Sequence, residues 1–192
     1  EDMQLSTNIS LSYIEDGKYF ALNETKYLIL TYGHKLDAPI GSTAERFLTE
    51  TVKYWRRWIK HSNIAGFYQH IVIRSSLVLK IHQYEDSGAI IAASTTSLPE
   101  SPGSTRNWDY RYCWMRDTYY VITALNHIGH FEEMEKYIGY VTDISFRDDE
   151  RYQPLFGIAG ERVLTERILE NIDGYQNNKP VRIGNQAYEH IQ

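Results

Sequence analysis

Residues 106–117, Arg-Asn-Trp-Asp-Tyr-Arg-Tyr-Cys-Trp-Met-Arg-Asp, hold two Trp, two Tyr, three Arg and two Asp in twelve positions. A loop needs none of this merely to stay soluble. Aromatic faces beside guanidinium and carboxylate groups suit a polyhydroxylated ligand. The C–H faces of a sugar lie on the rings, and its hydroxyls take paired hydrogen bonds from Arg and Asp. Cys113, the only cysteine, excludes an internal disulfide and a zinc site built on cysteines; it reads as a small buried hydrophobe rather than a nucleophile. No two of the seven His sit at the i, i+4 spacing of a helical metal site flanked by Glu. No metal and no cofactor are expected.

The elements around this stretch must present it to a cleft. Upstream runs a long loop over 83–111, ending in small residues and Ser-Leu-Pro-Glu (97–100) before the cluster. A loop of that length inside a compact domain is usually functional. Downstream, Val121, Ile122, Leu125 and Ile128 predict a helix from about Trp114 to Ile128, ended by Gly129. Met134, Tyr137, Ile138, Val141 and Ile144 predict a second from about Phe131, and the short link makes the two a helical hairpin. Asp117 would then lie in a first turn, where a carboxylate also simply favours the positive end of the helix dipole.

Further out, Leu5, Thr7, Ile9, Leu11 and Tyr13 alternate as in a half-buried strand. Asp16-Gly17 suggests a hairpin, with more strands at Lys18–Leu22 and Tyr27–Tyr32. Ser42 and Glu45 form a capping-box pattern before a helix striped by Leu48, Val52, Trp55 and Ile59. Arg56, Arg57 and Lys60 read as its solvated face. The span from about Gly66 to His82 is apolar around most of its circumference, which predicts a deeply buried helix. Asp148-Asp149-Glu150 reads as plain charged surface and 151–165 as irregular. A short helix is expected at Thr165–Ile172, a turn at Asn177–Pro180 and another helix from Asn185.

Hydrophobic residues at 42% and charged residues at 23% describe a globular chain, and a net charge of −5 argues against nucleic acid or an anionic membrane as partner. No apolar run approaches the roughly 20 residues of a membrane span. The first residues, Glu1-Asp2-Met3-Gln4, carry neither a basic region nor an apolar stretch, so the expected compartment is the cytoplasm.

Ser-Leu-Pro-Glu (97–100), the 106–117 stretch and Arg-Ile-Gly-Asn (182–185) together resemble the prokaryotic branch of glycoside hydrolase family 15, which contains glucoamylases, glucodextranases and trehalases. The resemblance implies a multidomain β + α protein. Residues 1–33 would end a β-sandwich, 34–62 form a linker with a helix, and 63–192 begin an (α/α)6 barrel, so that the chain stops early. It implies inverting hydrolysis of α-glucosidic bonds in α-glucan oligosaccharides or trehalose, the remainder of the same enzyme being a further partner. Tyr110, Trp114, Arg116 and Asp117 would grip the sugar on the non-reducing side of the cleaved bond and share one concave pocket. Trp108, Asp109, Arg111 and Tyr112 would support them, with Asp109 pairing with an Arg and Tyr112 packing. Asn185 either faces the sugar or caps the last helix. Inversion needs a general acid and a general base about 6.5–9.5 Å apart. Glu100, Asp109, Asp117, Glu161 and Glu189 are carboxylates of the right type, but the resemblance assigns both roles to segments beyond this chain. Two rival readings remain: a non-catalytic sugar-binding or structural protein that keeps the aromatic site, and a helical protein with no sugar function.

Overall fold

The structure, a computed structural model, describes residues 2–146 and 153–190, with the side chain of residue 146 excepted. The chain divides into two compact units, Glu1–Lys60 and His61–Gln192. The charge run at 148–150 lies outside the described residues.

In the first unit, β1 (Met3–Thr7) pairs antiparallel with β2 (Leu28–Tyr32), Leu5 facing Leu30. The predicted strand through Tyr13 stops at Thr7. The Thr7 hydroxyl accepts the Ile9 N–H at 3.1 Å and so draws the backbone out of the ladder. Asn8 then ties the chain across to the start of β2, donating to the Thr25 carbonyl at 2.9 Å and accepting from the Tyr27 N–H at 2.8 Å. Leu11 and Tyr13 lie in a single-turn helix, α1 (Leu11–Glu15), ended at Gly17 with φ +61°. Lys18–Leu22 is not a strand.

Helix α2 (Ile40–Lys60) begins before the predicted cap. The Pro39 carbonyl takes the Thr43 N–H at 3.1 Å, so Ser42 sits inside the first turn and its hydroxyl donates back to Pro39. Glu45 accepts from the Tyr27 hydroxyl instead of closing a capping box. On the apolar stripe, Trp55 and Ile59 are half-buried, while Leu48 and Val52 stand in solvent.

In the second unit, α3 (Gln69–Ile81) is not deeply buried. Ile71, Val78 and Ile81 are exposed, and the buried positions are Ser76 and Lys80. A helix apolar on all sides buries only the sides that neighbours cover, and α3 packs on α4 and reaches α5 through the Lys80–Glu133 pair. Lys80, only 4% exposed, is held by Gln83 Oε1 at 3.1 Å, Glu85 Oε2 at 2.9 Å and Glu133 Oε1 at 3.3 Å. A buried ammonium needs such partners to offset its lost hydration.

Strand β3 (Cys113–Trp114) leads directly into α4 (Met115–His127), and α5 (Phe131–Phe146) follows Gly129, whose φ of +90° makes the tight reversal. The helical hairpin is as predicted, although Ile138 faces solvent and Tyr140 faces the core. The core joins Ala89, Ile90, Cys113, Tyr137, Tyr140, Ile144 and Phe156. Strand β4 (Leu155–Phe156) pairs with β3, giving order within the span read as irregular. The expected helix at 165–172 is instead β5 (Arg167–Ile168), drawn out against β6 (Arg182–Ile183). The Leu169 N–H donates to the Val181 carbonyl at 2.8 Å, a partner that no local pattern could announce. The expected turn at 177–180 holds a cis Lys179–Pro180 bond. After Asn185 the chain forms a 3-10 turn, Gln186–Glu189, rather than the start of an α-helix.

Candidate functional site

The 106–117 stretch is held in a ribbon rather than left as a free loop. Ala92 and Ala93 donate their N–H groups to the Tyr112 and Tyr110 carbonyls at 2.9 Å each, Ser97 to Trp108 at 3.0 Å and Glu100 to Arg106 at 3.0 Å. A third segment joins on the far edge. The Thr96 hydroxyl donates to the Arg182 carbonyl at 2.7 Å, and the Arg182 N–H donates to the Ser97 hydroxyl at 2.7 Å. Two of the motifs singled out in the sequence thus meet through backbone and hydroxyl hydrogen bonds.

Asp109 is the hinge pin of this junction. Its side chain is fully buried and accepts Arg111 Nε and Nη2 at 2.9 Å each, with the Arg111 N–H on Oδ1 and the Gly184 N–H on Oδ2, both at 3.2 Å. A carboxylate so saturated has no lone pair left for a ligand, so its task is orientation. The pair also pushes the Arg111 guanidinium up from its ordinary value, against the opposing effect of burial. The Asp109 carbonyl accepts Asn185 Nδ2 at 2.9 Å, while Asn185 Oδ1 takes the Ala187 N–H at 3.0 Å as a cap. Tyr112 is half-buried, and burial beside Asp109 raises its phenol. Cys113 is buried in the core, and burial pushes its thiol up, away from nucleophilic use.

Above this junction lies a cavity of about 380 Å³ walled by Trp108, Tyr110 and Trp114, with Glu166, Asn185 and His190 around them. Three aromatic faces and a carboxylate around one space match the needs of a sugar ring. The buried indole N–H of Trp114 has no acceptor among the described residues. Of the four residues expected to grip sugar, Tyr110 and Trp114 line this cavity and Arg116 and Asp117 do not. Those two are joined to each other, Arg116 Nη2 lying 3.2 Å from Asp117 Oδ2, with side chains 63% and 39% exposed. Arg116 also lies over the Trp114 ring at 5.9 Å, which keeps the pair next to the cavity wall. Of the weaker candidates, Trp108 and Asn185 line it and Asp109 does not. A larger cavity of about 630 Å³ beside Arg111, Tyr112, Glu161 and Arg167 offers one aromatic wall, too little for stacking a ring on both faces.

Sequence reasoning missed Glu166, His190 and the side chain of Arg182. Glu166 and His190 carry no spacing signal, since the cavity is closed by the residue just before β5 and by chain from beyond β6. Arg182 lay within a recognised motif but had no assigned task. Among the described residues no group of three His, Cys, Asp or Glu side chains could hold a metal, and no helix is long and apolar enough to cross a membrane.

Comparison with known proteins adds an independent line. The model of glycosyl hydrolases family 15 matches residues 66–192. The chain is 38% identical to a trehalase of Thermoplasma acidophilum over 100% of its own length and 34% of that protein. It is 41% identical to a trehalase of Thermoplasma volcanium, over 88% of this chain and 27% of the relative. With a trehalase of Mycobacterium tuberculosis the identity is 41% over 74% and 22%. The chain therefore spans about a third or less of the length of these curated relatives. No solved structure matches it significantly.

Proposed function

Because the chain belongs to glycosyl hydrolases family 15, we propose that it is the sugar-gripping part of a trehalase-like hydrolase that cleaves α-glucosidic bonds with inversion. The observation that carries this reading is the cavity of Trp108, Tyr110 and Trp114 with Glu166 and Asn185 at its margin. Tyr110 and Trp114 stack on the glucose ring. The adjoining Arg116–Asp117 pair takes ring hydroxyls, so that the glucoside is fixed for in-line attack. Asp109 and Arg111 keep the 106–117 ribbon in register beneath.

In this reading the general acid and base reside outside the chain, and two carboxylates with water between them need no cofactor. Residues 1–33 end a β-sandwich, 34–62 link, and 63–192 open an (α/α)6 barrel. Trehalose is the favoured substrate because the relatives named above are trehalases. The test is to incubate the full-length protein with trehalose, maltose and isomaltose and follow products by proton NMR. Equal initial amounts of β- and α-glucose, chiefly from trehalose, are expected, because the attacked anomeric carbon inverts while the leaving glucose keeps its α C1–O bond. α-Glucose alone as the first product from trehalose would overturn inversion, preference for maltose or isomaltose would overturn the substrate, and binding without turnover would leave a sugar-binding protein.

A further inference from the structure

The structure assigns Arg182 a positioning role: its side chain holds two walls of the aromatic cavity, Trp108 and Glu166, in their places. This rests on the sugar-binding reading above and adds a residue to it. Arg182 is 15% exposed and Glu166 18%, so neither is a loose surface charge. The guanidinium lies 4.8 Å from the centre of the Trp108 ring and bonds through Nη1 to Glu166 Oε1. Its Nε donates to Asn107 Oδ1 at 3.3 Å and its Nη2 to the Thr105 carbonyl at 3.5 Å. Its own backbone is fixed by Thr96 and Ser97 at 2.7 Å each. One planar cation thus joins β6, the aromatic ribbon and the segment before β5. Trp108 and Glu166 line the cavity, whereas Arg182 stands behind them.

The geometry needs a guanidinium. A flat, forked cation can stack on an indole and donate in its own plane to several acceptors at once, and an ammonium cannot do both. Without it the indole loses its stacking partner and a largely buried carboxylate loses its cation, so both walls relax away from the bound ring. A platform that holds ground state and transition state alike changes KM more than kcat.

The experiment uses the full-length protein with trehalose. Arg182→Lys is expected to raise KM about tenfold while kcat stays within about twofold, in line with coupling between contacting residues. In a Trp108→Phe background the same change should raise KM by less than about threefold, because the stack it disrupts is weakened already. Equal effects in both backgrounds, or Arg182→Lys kinetics matching wild type, would overturn the proposal while leaving the sugar site standing. If Arg182→Lys abolishes the cooperative melt, Glu166→Gln decides, since it keeps the shape and removes the ion pair. A raised KM supports the role and an unchanged KM sinks it. A wild-type protein that neither binds nor hydrolyses an α-glucoside would sink the underlying reading and this role with it.

Discussion

Two carboxylates eight positions apart have opposite fates. Asp109 is saturated by Arg111 and Gly184 within the protein, while among the described residues Asp117 keeps lone pairs open beside one contact, to Arg116. A change at Asp117 should therefore be felt by substrate more than by the fold. A hydrogen bond to a charged group contributes about 1.5–3 kcal/mol, so Asp117→Asn in the full-length protein is expected to lower kcat/KM roughly 10- to 150-fold. Kinetics beside a thermal melt decide it: intact kinetics with a large drop in Tm would make Asp117 structural. His130 offers a second test. It is buried, lies 2.7 Å from the Ser62 hydroxyl, and has Glu133, Lys80, His61 and Glu132 around it. Burial holds its pKa below the ordinary 6.5. Above that pH both folded and unfolded chains carry a neutral ring, and stability is whole. As pH falls through it the unfolded chain takes the proton first, and stability is lost until folded His130 protonates too. The Tm of wild type should thus fall more between pH 7 and 5 than that of His130→Asn; parallel curves would show that His130 contributes nothing.

At the scale of elements, glycines separate strain from freedom. Gly184 turns the chain out of β6 with φ +82°, and a Cβ there would meet the Thr165 carbonyl oxygen at 2.1 Å. Its N–H also serves Asp109. Gly184→Ala should cost about 1–3 kcal/mol in backbone strain alone, with the clash added, and it should weaken sugar binding by moving Asn185. Gly139 is the opposite case: it lies in the exposed middle of α5 with no atom within 4 Å of a built Cβ. Gly139→Ala should stabilise by about 0.5–1 kcal/mol, because alanine loses less backbone freedom in a helix. Denaturant melts of the two variants in the full-length protein should move in opposite directions; a shift of the same sign would contradict this account of α5 or of the β6 turn.

At the scale of the whole molecule, much apolar surface stands in water: Leu5, Leu28 and Leu30 on the strands, Leu48 on α2, Ile71 and Ile81 on α3, Ile138 on α5. At about 25 cal/mol per Å², each 100 Å² left uncovered forfeits about 2.5 kcal/mol. A few such patches match a domain's usual net stability of about 5–15 kcal/mol. The 192-residue chain expressed alone is therefore expected to melt without a sharp transition and to release no glucose from trehalose or maltose. Circular dichroism and a glucose assay check the two halves separately. A cooperative melt would show that these faces need no cover, and turnover would show that acid and base lie within the chain.

Local chemistry was legible in the sequence wherever it depended on neighbours along the chain. The 106–117 cluster, the α4–α5 hairpin with its glycine reversal, and the Asn185 cap were all readable, since spacing, periodicity and turn residues act over a few positions. The Tyr13 strand, the Ser42 cap and the 165–172 helix were misread, because Asn8, Pro39 and Val181 offered the backbone other partners. Burial of α3 was misjudged for a related reason: composition states what a helix could bury, and only packing states which face meets α4. The cavity itself belongs wholly to tertiary structure. Glu166, Arg182 and His190 come to Trp108 and Tyr110 from far along the chain, and contacts closed through space leave no period in the sequence.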